Sequence, residues 1–209
     1  MNIIKKANSR AALLALAEDP ANRFAVNYNP WEDKMPNDSN PETWAVIAHS
    51  DDRFYIVMRA YETEIRAEIK EQWGAVHTDS CMEFFFSPCP ELRENYFNME
   101  VSASGMMKNN YGPGRHGRVF ADTDVTKYGV DVTITDSYWQ IVYEMPYDVI
   151  RACASEFEGN SGDVIKANFY KCGELSAYPH LMMWNHLDAK AWPNPDFHRP
   201  EGFAELTLE

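Results

Sequence analysis

Asp79-Ser80-Cys81-Met82-Glu83-Phe84-Phe85-Phe86-Ser87, a proline-bracketed turn, and Asn95-Tyr96-Phe97-Asn98-Met99-Glu100-Val101-Ser102-Ala103 decide the fold of this chain. Both runs have period two, and together they read as a hairpin. Phe97, Met99, Val101 and Ala103 fall on one side of the second run, with Tyr96, Asn98, Glu100 and Ser102 on the other, the alternation of a half-buried strand. In the first run Met82, Phe84 and Phe86 take the core side, so Glu83 and Glu100 project together from the opposite face. A third run, Val164 to Lys171, turns Ile165, Ala167 and Phe169 inward and Lys166, Asn168 and Tyr170 outward. Carboxylates, an amide and a phenol thus share one sheet surface, which on an antiparallel sheet is ordinarily a solvated face.

Working outward, Trp44–His49 and Arg53–Ala60 form a second hairpin about Ser50-Asp51-Asp52. In the latter run Phe54, Ile56 and Met58 alternate with Tyr55, Val57 and Arg59, so both faces are apolar, as in an interior strand. Asp131–Ile134 and Tyr138–Glu144 form a third hairpin, Pro146–Ile150 a short helical turn, and Phe203–Leu208 a closing strand. The intervening segments are loops. Asn27–Pro41 is proline-rich, with Trp31 placed to pin it to the sheet, and residues 105–118 are glycine-rich without a phosphate-binding GxxxxGK[ST] or GxGxxG pattern. Trp73 stands in a loop between Gln72 and Gly74 with no apolar periodicity to bury it, and a wet tryptophan ring invites a ligand.

The expected fold is all-β: an antiparallel β-sandwich of jelly-roll or immunoglobulin-like type with a few short helices. A single domain spanning 1–209 accommodates the length, with residues 1–30 as an N-terminal extension. Within that extension, residues 9–18 read as a short helix capped by Asn8 or Ser9 and stopped before Pro20. Lys5 and Lys6 before Ala11–Ala17 resemble a secretory signal only superficially, since the apolar run is short and Glu18-Asp19 follow at once. No run approaches the roughly 20 apolar residues of a membrane-spanning helix.

Nineteen basic against 32 acidic side chains leave a formal charge of -13, which repels a phosphate backbone and speaks against nucleic acid and anionic membranes as partners. Cys81, Cys89, Cys153 and Cys172 contain no CxxC pair, so zinc-ribbon and thioredoxin chemistry are not indicated, whereas disulfides remain open. His180, His186 and His198 match no zinc spacing, and packing or loop hydrogen bonding accounts for them better.

The ordered set Asp79–Phe85, Tyr96–Val101, Lys166-Ala167-Asn168-Phe169-Tyr170-Lys171-Cys172-Gly173, Trp184-Asn185 and Asp196–Pro200 resembles the family 9-like carbohydrate-binding modules from about Pro41 to the C-terminus. That resemblance implies a non-catalytic β-sandwich that clamps a terminal saccharide between two tryptophans and hydrogen-bonds its hydroxyls from the sheet. Trp73 and Trp184 are the candidate walls, Glu83, Glu100, Ser102 and Asn168 the candidate polar contacts, and Tyr170, Trp192 and Arg115 supplementary ones. Glu100 and Ser102 stand where founding members tend to carry Arg and Asn. The chemistry suits a mono- or oligosaccharide or a polysaccharide chain end, because pyranose C–H groups stack on aromatic faces while hydroxyls need fixed donors and acceptors. The resemblance also implies export and structural calcium, for which the Asp51-Asp52 and Asp122-Thr123-Asp124 turns offer hard oxygens. Two alternatives stand beside it: a protein-interaction sandwich using its aromatic loops, and a glycosidase using Glu83 and Glu100.

Overall fold

In a computed structural model that describes residues 2–35, 40–92 and 94–209, strands dominate. In chain order they are β1 (Asn2–Lys6), β2 (Phe24–Ala25), β3 (Thr43–His49), β4 (Arg53–Ala60), β5 (Cys81–Ser87), β6 (Tyr96–Ser102) and β7 (Met107–Gly112). There follow β8 (Val119–Phe120), β9 (Asp131–Ile134), β10 (Trp139–Pro146), β11 (Val164–Cys172), β12 (Leu181–Met183) and β13 (Ala204–Leu208), with helices α1 (Arg10–Glu18) and α2 (Tyr147–Cys153) between them.

Two layers come from one hydrogen-bonded path, β8-β7-β6-β5-β11-β13-β1-β3-β4-β10-β9, with β12 added to β11 and β2 to β3. The pairing is antiparallel except at β1, whose residues Asn2–Ile4 run parallel to β13 and whose Lys5 and Lys6 run parallel to β3. This strand therefore passes the chain's hydrogen bonding from one layer to the other. The purely antiparallel expectation is corrected there, and the first residues are a strand within the sheet.

The side-chain alternation holds. Met82, Phe84, Phe86, Phe97, Met99, Val101, Ile165, Ala167 and Phe169 meet Ile47, Phe54, Ile56, Met58, Ile141 and Tyr143 of the facing layer in one apolar core. Within it Phe84, Phe86, Phe97 and Phe169 stack with ring centroids 4.9 Å apart, a geometry that contributes beyond the area buried. The doubly apolar β4 is explained by α1, whose Leu13 and Ala17 cover Trp44, Val46, Tyr55 and Val57 on the outer side. Ser9 caps that helix, its hydroxyl accepting from the Ala12 amide at 3.2 Å.

The outer face of β5, β6 and β11 is not a solvated surface. Loop residues Trp31, Val76, Leu187, Phe197 and Phe203 close over Cys81, Phe85, Tyr96, Tyr170 and Cys172 in a second apolar cluster. Trp31 does anchor its proline-rich loop, being 1% exposed and donating its indole N–H to the Trp192 carbonyl at 2.9 Å. Strand β7 lies inside the glycine-rich segment that the sequence presents as a loop, and β8 follows directly after it. Gly112 is required at their junction: with φ at 154° a side chain there would bring Cβ to 3.0 Å from the Arg118 Cα.

Candidate functional site

The second cluster leaves an opening, a cleft of about 370 Å³ over the middle of the sheet. Glu83 and Glu100 lie on its floor, directly paired across β5 and β6 and each 3% exposed. His77, Lys108, Glu174, Asp196, Phe197 and His198 are among the residues that wall it. Arg115 reaches the rim from the glycine-rich turn, and its guanidinium is fixed by Asp196 at 2.7 Å.

Each floor carboxyl is held differently. Glu100 Oε1 accepts from Asn98 Nδ2 at 2.6 Å, and Asn98 Oδ1 in turn accepts from Arg118 Nε at 2.9 Å. The same guanidinium donates to the carbonyls of Tyr96, Asn110, Gly112 and Gly114, so one half-buried fork ties the turn to the floor. Glu83 Oε1 instead accepts from the Cys172 thiol at 3.1 Å. Burial chiefly, then Cys172 and the facing Glu100, push the Glu83 carboxyl well above the usual carboxylate range. On the wall, His198 Nδ1 shares a hydrogen with the Tyr96 hydroxyl at 2.9 Å, and burial together with Arg118 and Arg115 lowers its pKa to about 3. A neutral imidazole therefore faces the cleft.

The other expected contacts are placed elsewhere. Trp73 packs against Phe120 with centroids 5.2 Å apart and donates to Asn109 Oδ1 at 3.2 Å, at the β7–β8 edge. Trp184 lies between Phe24 and Phe169, with centroids 4.7 and 5.9 Å away, which puts it with the inter-layer core rather than on the cleft side of β11. The two tryptophans thus do not form opposite walls about Glu83 and Glu100. Asn168 is fully buried and spent on structure: its Nδ2 donates to the carbonyls of Asn185 and Gly202 at 3.0 Å, and its Oδ1 accepts from the Asn185 amide. Ser102 bonds Ser104 and the Met106 carbonyl. Tyr170 stacks beneath Phe197 at 4.3 Å, and Trp192 sits under the Arg199 guanidinium.

The acidic turns are also engaged. Asp52 pairs with Arg53 and Asp122 with Lys127, each at 2.7 Å. These bonds hold Asp52 down to about 2 and Asp122 below its ordinary value. The histidines are engaged as packing and hydrogen bonding require. His186 stacks on Tyr28 at 3.7 Å, and His180 Nε2 lies 2.7 Å from the Lys171 ammonium.

A β-sandwich whose loops leave one walled, polar-floored cleft is a ligand-binding domain in form. The chain belongs to carbohydrate-binding family 9, whose model matches residues 14–208. Among solved structures it is similar to a Bacteroides uniformis protein provisionally assigned to carbohydrate binding, at 25% identity and a TM-score of 0.81, covering 100% of this chain and 98% of that one. Two family 9 module structures from Caldicellulosiruptor kristjanssonii, in complex with glucose and with cellotriose, share the fold at 9% and 8% identity, with TM-scores of 0.64 and 0.63. They are covered over 95% and 90% of their length and match 100% of this chain. No curated protein matches the chain. Among the described residues no helix is long and apolar enough to cross a membrane.

Proposed function

We propose that this protein binds a saccharide without turning it over, in the cleft above Glu83 and Glu100, and serves polysaccharide use outside the cell. The observation that carries the reading is the buried carboxyl pair. Two side chains that can bridge vicinal hydroxyls are held rigidly at the bottom of an open cleft, with Phe197 beside them as an apolar platform for a sugar ring. Family membership supplies the ligand class, and glucose and cellotriose in the family 9 neighbours make β-linked glucans the first ligands to try.

Calorimetric titration with a panel of mono- and oligosaccharides tests it. Saturable binding to the wild type, lost in Glu100→Ala and weakened in Phe197→Ala while both variants stay folded, is the expected result. Silence across the panel, or binding untouched by both substitutions, would remove the cleft from consideration.

A second reading draws on Val119 and Phe120, 61% and 50% exposed beside Trp73 at the sheet edge. Such a patch suits a protein partner. It would gain if the panel is silent and Phe120→Ser abolishes association with another chain.

A further inference from the structure

Cys81, Glu83 and Cys172 offer two sulfur atoms and one carboxyl oxygen that all lie within 4.8 Å of one another, and all three residues are buried. From this geometry we infer that the three form a binding site for a soft divalent cation of the zinc class, set into the floor of the cleft.

Strand register creates the arrangement. Cys81 and Cys172 stand directly opposite each other on β5 and β11, while Glu83 is two residues along β5 on the same face. Cys172 Sγ is already 3.1 Å from Glu83 Oε1. Sulfur and oxygen ligands on a tetrahedral ion bonded at about 2.3 and 2.1 Å stand roughly 3.5 to 3.8 Å apart, so modest rotation of three side chains closes the site. The donor set selects the ion: thiolates favour zinc, cobalt and similar metals over calcium or magnesium.

The surroundings favour a cation as well. Glu100 faces Glu83, and among the described residues neither carboxyl is in an ion pair that a cation would have to displace. Lys171, next to Cys172 on β11, turns its ammonium to Glu62 and to the Cys172 carbonyl, and Lys108 stands across from Glu100 on β7 rather than across from Glu83. Glu83 and Cys172 both line the cleft, so a fourth ligand, water or a hydroxyl oxygen, has access from that side. Binding would displace the ligand protons to solvent with no redox step.

The test uses the full chain, reduced, stripped with chelator and titrated anaerobically with Co²⁺. The expected result is a saturable one-to-one thiolate-to-cobalt charge-transfer band that Zn²⁺ abolishes by displacement. Cys172→Ser should remove the band, Glu83→Gln should weaken cobalt binding by about tenfold or more, and Cys89→Ser and Cys153→Ser should leave it unchanged. Absence of the band in wild-type protein with a native circular dichroism spectrum would overturn the inference. So would a band insensitive to Glu83→Gln. These readouts use no sugar, so the metal site and the saccharide reading fail separately.

Discussion

Glu83 and Glu100 face each other across adjacent strands, each 3% exposed, yet only Glu100 is bonded to a network that ends in a cation. The asymmetry predicts different answers to the same substitution. A buried carboxyl with a raised pKa keeps its proton to higher pH in the folded than in the unfolded chain, so its contribution to stability is present below its ordinary value and is lost as pH rises through the folded value. Glu83→Gln mimics the protonated form. It should hold or raise the melting temperature at neutral pH and flatten the decline on the alkaline side, as scanning calorimetry across pH will show. Glu100→Gln leaves Asn98 facing a group that can present N–H instead of oxygen, and should weaken saccharide binding by about tenfold, the loss of one charge-assisted hydrogen bond.

Arg118 tests how the floor is built. Its guanidinium serves Asn98 and four backbone carbonyls at once, a task that an ammonium cannot perform because it lacks the planar fork. Arg118→Lys keeps the charge and should still lower stability by about 2 kcal/mol, with several buried acceptors left unpaired. It should also weaken saccharide binding, since Glu100 loses its orienting chain. Urea unfolding and calorimetric titration of the same variant measure the two effects.

What the sequence made legible was the alternation. Period-two runs placed Phe84, Met99 and Phe169 inside and put Glu83 and Glu100 together on the opposite face, because strand geometry is local and repeats every two residues. Cover over that polar face was not legible: Phe197 and Leu187 come from loops with no period, and nothing local says which surface they will close on. His77 and Glu174 escaped notice for the same reason, and Asp196, Phe197 and His198 entered only within the motif that carried the family resemblance, not as site residues. Strands β7 and β8 were hidden because glycines and prolines around Gly112 read as a loop. For Trp73 and Trp184 ring size alone leaves burial and a ligand equally open, and their packing against Phe120, Phe24 and Phe169 shows where the rings sit.

That packing makes Trp73 and Phe197 a discriminating pair. Trp73→Ala removes a ring at the β7–β8 edge and should leave saccharide affinity within about twofold of wild type, at a stability cost of about 1 kcal/mol for its partly buried contact with Phe120. Phe197→Ala removes a ring that lines the cleft and stacks on Tyr170, and should cost both affinity and stability. Parallel titrations and melts decide the matter. A larger affinity loss in Trp73→Ala than in Phe197→Ala would move the ligand to the sheet edge.

By strand parity Lys171 points into the protein, and its fully buried ammonium lies 3.1 Å from Glu62 Oε2, which also accepts the Trp139 indole N–H at 2.8 Å. Breaking one side of a buried pair strands the other charge, so Glu62→Ala should destabilise by about 3 to 5 kcal/mol. Lys171→Met combined with Glu62→Gln removes both charges and should recover most of that loss. Chemical denaturation of the single and double variants checks this, and equal losses in both would mean that the hydrogen bonds to Ser80 and Trp139 matter more than the charges.

Acid should loosen the cleft through its wall. Burial, with positive neighbours, lowers His198 to about 3 and His180 to about 4 from an ordinary 6.5. A histidine held neutral in the folded state contributes stability above its unfolded value and loses it as pH falls through the window between 6.5 and the folded value. Each group then costs up to about 1.4 kcal/mol per pH unit. Glu83 acts with the opposite sign, so net stability understates the histidine effect, and comparison of single variants isolates it. His198→Asn cannot take up the proton and retains a hydrogen-bonding group for the Tyr96 hydroxyl. Its unfolding free energy, followed from about pH 7 to about pH 4.5, should fall less steeply than that of the wild type by close to one proton's worth of slope. An unchanged slope would mean that His198 is already protonated in the folded protein, and the neutral face assigned to the cleft wall would have to be given up.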